Sequence, residues 1–273
     1  MISNGIYPES GERIGPKNAM RIVKLDHSNK IAGLTLRRHR EGPETDLVEW
    51  FLTESHIKVQ RGHQITIFRE PQLASGFPDL VIVVWKPSAT SAWSPYRARL
   101  TNADIRLMSY LAQVGPCSLE AINDVFGHRL ASRSLAHLSE ARMVKSSRTY
   151  WTARALGSIF ATKHIVAIEA KINKWKEALN QAILNKWFAS SSCILMPKVP
   201  TTTPLIERAN LFDIGVRVSE QKELDISTKP LAQIPMSHAS WLFNEWAWRA
   251  ELSAKERVDN EDEHRRCLAS SAI

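Results

Sequence analysis

Apolar positions along this chain fall into alternating helix-like and strand-like periods. In "PETDLVEWFLTESH", Leu47, Val48, Phe51 and Leu52 recur at helical spacing behind Pro43 and acidic residues suited to a helix start, which predicts a helix. "IKVQRGHQITIFREP" alternates apolar and polar residues and predicts one or two strands. "ASGFPDLVIVVWKP" predicts a turn running into a continuous apolar strand, Leu80 to Trp85. The pattern then changes. "PSATSAWSP" reads as a linker, and three helical patterns follow it. The first, "TNADIRLMSYLAQVG", has Thr101 or Asn102 as N-cap and Gly115 as stop; the second, "SLEAINDVFG", has Ser118 as N-cap and Gly127 as stop. The third, "LASRSLAHLSEARM", leads into "VKSSRTYWTAR", which predicts a small β-hairpin. From residue 164 strands and helices alternate again. There is a strand in "HIVAIEAKI", a helix in "NKWKEALNQAILNKWFA" capped by Asn173, a strand in "CILMP", a helix in "PLIERANLFD" and a strand in "IGVRVSE". A late helix is expected in "SHASWLFNEWAWRAELSAKERV", with a charged tail beyond it that frays.

Three helices followed by a hairpin form the pattern of a winged helix-turn-helix. Strands and helices alternate on both sides of it. The expected organisation is therefore one α/β domain, residues 1–87 and 161–250, with a second, mainly α winged-helix domain inserted at 88–160 and a tail at 251–273. No internal repeat is evident.

Composition adds bounds rather than a function. The chain has 273 residues, 44% hydrophobic and 23% charged, which suits an ordinary globular core. No apolar run approaches the ~18 to 20 residues that span a bilayer, and "MISNGIYPESGERIGPKN" lacks an apolar signal region. No membrane partner is expected. Cys117, Cys193 and Cys267 form no CxxC pair, which argues against a disulfide frame or zinc site and fits a reducing cytoplasm. The formal charge is +8. Residues 88–160 carry nine Lys or Arg against four Asp or Glu, so over half of that excess lies in about a quarter of the chain. A concentrated basic segment points to a polyanion such as nucleic acid.

The candidate chemistry lies at two strand ends. Asp79 opens the Leu80 strand, and Glu169 and Lys171 close the strand in "IVAIEAKINKW". Residues i and i+2 of a strand face one side, so Glu169 and Lys171 share a face while Ala170 turns into packing. If the two strands pair, Asp79 and Glu169 converge. Two close carboxylates repel, and a hard divalent cation removes that cost. A nearby lysine can orient a metal-bound water and stabilise phosphate charge.

These residues resemble the PD-(D/E)XK nuclease superfamily, with its restriction-endonuclease-like fold of a mixed central sheet flanked by helices. Pro78-Asp79 matches the "PD" and Glu169-Ala170-Lys171 the "ExK". "PETDLVEWFLTESHIKVQ" resembles the family's first core helix, where a glutamate before the apolar run reaches the metal; by position that is Glu44, with Glu49 as fallback. Gln181 occupies the place of a glutamine found after the "ExK" strand in the branch related to recombination nucleases. That branch carries a tyrosine four residues later, where this chain has Asn185. The resemblance covers residues 44–86 and 164–220. It implies a Mg²⁺-dependent DNA endonuclease, with Mn²⁺ as substitute. Asp79, Glu169 and the carbonyl of Ala170 would bind the metal, and Lys171 would position the attacking water. By analogy of fold it also implies a setting in restriction, phage defence or mobile-element processing. Double-stranded DNA is the expected partner, with a homodimer or a larger complex as assembly. In the insert, Arg129, Ser132 and Arg133 open the expected recognition helix, and Lys145 and Arg148 lie on the wing, suited to phosphate contact.

Plainer readings stand beside these. Asp79 after Gly76-Phe77-Pro78 reads, taken alone, as a turn residue. Glu169 and Lys171 could form an exposed ion pair worth ~0 to 1 kcal/mol. Glu44 also complements a helix N-terminus. Gln181 suits a helix surface, and Glu70 reads as a solvated strand residue, with a place beside the metal as the alternative. Of the nine Trp, those at 175, 187, 241, 246 and 248 have helical spacing and read as core; His63, His128 and His137 lack ligand-like partners. The alternative function is a catalytically silent DNA-binding or protein-docking subunit of a larger nuclease or transposition complex.

Overall fold

The computed structural model describes residues 21–38, 40–199, 204–226 and 233–270, with backbone alone from residue 256 onward. His39 of the basic run and the first twenty residues lie outside this description. In chain order the elements begin with β1 (Ile22–Leu25), α1 (Pro43–Glu54), β2 (His56–Lys58), β3 (Gln64–Arg69) and β4 (Leu80–Trp85). The middle of the chain forms α2 (Asn102–Val114), β5 (Cys117–Ser118), α3 (Leu119–Phe126), α4 (His128–Glu140), β6 (Val144–Ser147) and β7 (Tyr150–Ala153). Then come α5 (Leu156–Ile159), β8 (Thr162–Ala170), α6 (Trp175–Asn185), β9 (Ser191–Met196), α7 (Leu205–Leu211), β10 (Ile214–Val218), β11 (Glu223–Asp225) and α8 (His238–Ser270).

The fold is α/β around a mixed six-stranded sheet, in the order β1-β3-β4-β8-β9-β10. The antiparallel ribbon β3-β4-β8 forms its centre, and β1, β9 and β10 pair in parallel at the flanks. β4 is wholly apolar and β8 is apolar from Ile165 to Ile168, because both of their faces are covered. One face carries Leu80, Ile82, Val84, Val166 and Ile168 and packs on Leu47, Val48 and Phe51 of α1. Burying each of these three helix side chains contributes roughly 1.5 to 3 kcal/mol. The opposite face carries Val81, Val83, Trp85, Ile165 and Ala167 and packs on Trp241, Phe243 and Trp246 of α8. On that same side α6 and α7 cover β9 and β10 through Ala178, Leu179, Ile194 and Leu205.

Residues 102–153 form three helices and a small sheet, β5-β7-β6. Thr101 and Asp104 make a capping box at the start of α2, and His137 of α4 reaches the same carboxylate at 3.1 Å. α4 starts at His128, ahead of its apolar period, because Gly127 (φ +78°) both ends α3 and turns the chain directly into α4.

The segment read as a linker is packed rather than loose. Trp93 meets Trp248 edge-to-face, and Arg97 is 1% exposed. The Arg97 guanidinium lies 3.3 Å from the Trp93 ring centre and 2.6 Å from Glu245 Oε1. One residue away, Asn244 Oδ1 accepts from the amides of Ala161 and Thr162, where the chain returns to the sheet. α8 therefore ties down the chain both where it leaves β4 and where it enters β8. One continuous apolar cluster joins Leu107, Leu111 and Leu138 of residues 102–153 to the sheet face and α8. Trp241 and Trp246 are buried in that cluster, and Trp248 is buried beside Trp93. Among the described residues no helix is long and apolar enough to cross a membrane.

Candidate active site

The β4–β8 register decides the site. Leu80 pairs with Ile168, and one step further Asp79 stands opposite Glu169. Directly opposed residues of an antiparallel pair point to the same side. Ninety residues of sequence are thus closed by the two strands that leave for the insert and return from it. Asp79 Oδ2 accepts from the Ala170 amide at 2.7 Å, and the Asp79 and Glu169 carboxyls are within hydrogen-bonding reach of each other. Glu169 is 3% exposed, and Ala170 is fully buried against the α1 side of the sheet.

Lys171 leaves the strand end and curls back. Its Nζ lies 3.1 Å from the Ala170 carbonyl, 3.3 Å from Glu44 Oε2 and 3.8 Å from Asp79 Oδ2. Glu44 reaches this point because Pro43 opens α1 at the sheet rim. The fallback Glu49 is turned elsewhere and pairs with Arg69. Glu70 is not a solvated strand residue. It follows β3 in a left-handed conformation (φ +45°), its carboxylate is 12% exposed, and it pairs with Arg37.

α6 lies on the Glu169 side of the sheet. Asn185 in its last turn donates from Nδ2 to Glu169 Oε1 at 2.6 Å. Gln181, one turn before it, is half-buried, and its Oε1 has no hydrogen-bond partner among the described residues. It is Asn185, not Gln181, that the structure joins to the carboxylates. The only sequence signal for it was its position four residues after Gln181. Asn173 does not cap α6: the N-cap position is Lys174, without a side-chain cap, and Asn173 sits in the wall of a cleft over the site.

These placements set the electrostatics. Burial, followed by the Asp79 charge, pushes Glu169 up to about 8, against the pull of Asn185 and Lys171. Burial also raises Asp79, opposed by Lys171 and the Ala170 amide and reinforced by Glu70 and Glu44. Burial works against the Lys171 ammonium, but Asp79 and Glu44 outweigh it and hold its pKa above the ordinary lysine value. At neutral pH Glu169 therefore holds its proton, facing Asp79.

No family model matches the chain, nor does a curated protein or a solved structure. The chemistry of the donor set is thus what characterises the site. Two facing carboxyls beside a backbone carbonyl are the hard oxygen donors of Mg²⁺ or Mn²⁺, and a proton between them stands where a cation would relieve the same repulsion. Among the described residues no three His, Cys, Asp or Glu side chains group closely enough to hold an ion by themselves. A cation here would have to complete its shell with backbone oxygen and water, as Mg²⁺ commonly does.

The cleft over the site has a volume of about 570 Å³, and its walls include Arg37, Arg40, Glu44, Glu70, Asp79 and Lys174. The residues expected to touch DNA in the insert lie apart from it. Arg129, Ser132 and Arg133 are exposed on one face of α4, and Lys145 and Arg148 are exposed on β6 and its turn. Among the described residues none of these four cations has an ion-pair partner. Residues 102–153 join the sheet at the far end of β4 and β8 from the carboxylates. At ~3.3 Å per residue, the strand β4 alone separates the two by roughly 20 Å.

Proposed function

We propose that this protein is a Mg²⁺-dependent endodeoxyribonuclease of the PD-(D/E)XK kind, with Mn²⁺ as an effective substitute. On this reading the sheet is the restriction-endonuclease-like core, and residues 88–160 are an inserted winged helix-turn-helix. One observation carries it: Asp79 and Glu169, remote in sequence, are cross-strand neighbours at the rim, with Lys171 beside them. Asp79, Glu169 and the Ala170 carbonyl would hold the cation. When bound, it neutralises phosphate charge and lowers the pKa of its water. Asn185 fixes one oxygen of Glu169 and so orients the other toward Asp79. Lys171, tethered by Glu44, presents its ammonium to the attacking water and to the charge that develops on phosphate. α4 would enter the major groove with Arg129, Ser132 and Arg133, and the β6–β7 wing would meet phosphate through Lys145 and Arg148.

A second reading is a catalytically silent DNA-binding or docking subunit. It is favoured by the self-sufficiency of the rim, where Lys171 occupies the Ala170 carbonyl and a proton neutralises Glu169. Supercoiled plasmid incubated with the purified protein separates the two. The nuclease reading expects nicking in Mg²⁺ and Mn²⁺ that is lost in Asp79→Ala and Lys171→Ala. Firm DNA binding with no nicking in either cation selects the silent subunit.

A further inference from the structure

The acidic floor of the cleft is a poor place for a polyanion unless its walls compensate. Two of the wall cations are already committed: Arg37 pairs with Glu70, and Arg69 with Glu49. Arg40 has no ion-pair partner among the described residues, and Lys174 meets Glu177 only at 3.5 Å with its side chain 73% exposed. They come from different segments, Arg40 from the arm entering α1 and Lys174 from the turn leaving β8. The arm is not free to drift. The Arg37 amide donates to the Glu70 carbonyl at 3.0 Å, and the Glu70 amide donates to the Asp79 carbonyl at 3.1 Å. At the other end of the arm, the Arg40 carbonyl accepts from the Thr45 hydroxyl in the first turn of α1. Arg40 is thus held against the acidic floor on backbone tied through Glu70 to Asp79, and Lys174, only loosely engaged by Glu177, faces the floor from another wall.

We infer that the cleft seats the sugar–phosphate backbone of the strand to be cut, with Arg40 and Lys174 each neutralising one phosphate. The assignment rests on the nuclease reading for its substrate, but its test does not depend on cutting. A fluorescein-labelled duplex is titrated with the full-length protein in Ca²⁺ in place of Mg²⁺, at several salt concentrations. Arg40→Ala and Lys174→Ala are each expected to flatten the slope of log K against log salt by about 1, and the double variant by about 2. Both side chains are exposed, and unchanged circular dichroism and melting show that the variants are folded. Slopes and affinities equal to the parent protein's would overturn the inference. So would inorganic phosphate that displaces the duplex as well as a single-stranded oligonucleotide does at matched ionic strength, since the cleft would then take a lone anion. Flattened slopes together with an absence of nicking in any divalent cation would support the cleft and sink the nuclease.

Discussion

Raising the pH of the metal-free protein should destabilise it, and Glu169 should be the cause. Its folded pKa is about 8, against an ordinary value of 4.5 in the unfolded chain. A group whose pKa is raised on folding binds its proton more tightly in the native state. Its contribution is complete below pH 4.5 and is lost as pH rises through about 8. Within that window the slope approaches about 1.4 kcal/mol per pH unit. Going from pH 6 to pH 8 in EDTA should then cost roughly 2 to 3 kcal/mol, or about 5 to 10 °C in the melting midpoint of a chain this size. The assay is a thermal melt across this range for the parent and for Glu169→Gln. The amide keeps an acceptor for Asn185 but has no proton to lose, so its curve should be flatter by most of that amount. Adding Mg²⁺ at pH 8 should restore the parent midpoint and leave the variant unmoved. Parent and variant midpoints that fall in parallel with pH would refute the account of a protonated Glu169 at the rim.

Three further outcomes follow from named contacts. Asn185→Ala removes the donor that favours ionised Glu169. At ~1 kcal/mol for that bond, the pH midpoint of the melting curve should move up by somewhat under one unit, and a downward or absent shift counts against the positioning role. The Arg97–Glu245 pair is buried on both sides. Arg97→Met should cost about 3 to 5 kcal/mol by stranding the carboxylate, and Arg97→Met with Glu245→Leu should recover most of it in a denaturant titration; a double variant as weak as the single would show that the guanidinium acts by other contacts. Asp79→Asn with Glu169→Gln should melt several degrees above the parent in EDTA at pH 8 while losing all plasmid nicking, and a lower melting point would mean that the acids serve the fold.

The sequence made the centre of the sheet legible and hid its margins. β4 and the middle of β8, Ile165 to Ile168, are apolar on both faces because both faces are covered, so composition alone finds them. β1 and β11 are short and carry polar residues at exposed positions, and β5 has two residues; such strands exist only through their partners. "PSATSAWSP" has the composition of a linker, yet Ser94 is buried and Trp93 packs on Trp248, and just beyond it Arg97 is buried, since α8 supplies Trp248 and Glu245 from far along the chain. Asn173 has the residue type of a cap, but Lys174 turns first (φ −86°, ψ 61°) and leaves Asn173 outside the helix. The carboxylates were legible through strand parity, a local property. Asn185 and Arg37 were not, because an amide on a helix and an arginine in a basic run acquire meaning only from what tertiary packing places opposite them.

The rim is hard to account for as a stabilising device. Two acids in contact raise each other's pKa, and an isolated carboxylate at such a depth would simply take up a proton. Here the chain directs several groups at them that favour the ionised forms: the Ala170 amide at Asp79, the Asn185 amide at Glu169, and the Lys171 ammonium at both. Core positions serving stability alone would do as well with apolar side chains of similar volume, because satisfying buried charge rarely returns more than its desolvation cost. The arrangement brings the pair close to ionisation without completing it, which leaves room for one more positive charge at the point where the cleft opens. The proposed divalent cation with a phosphate above it would meet that requirement, and on that proposal Arg40 and Lys174 would offset the repulsion that the floor exerts on the rest of a strand.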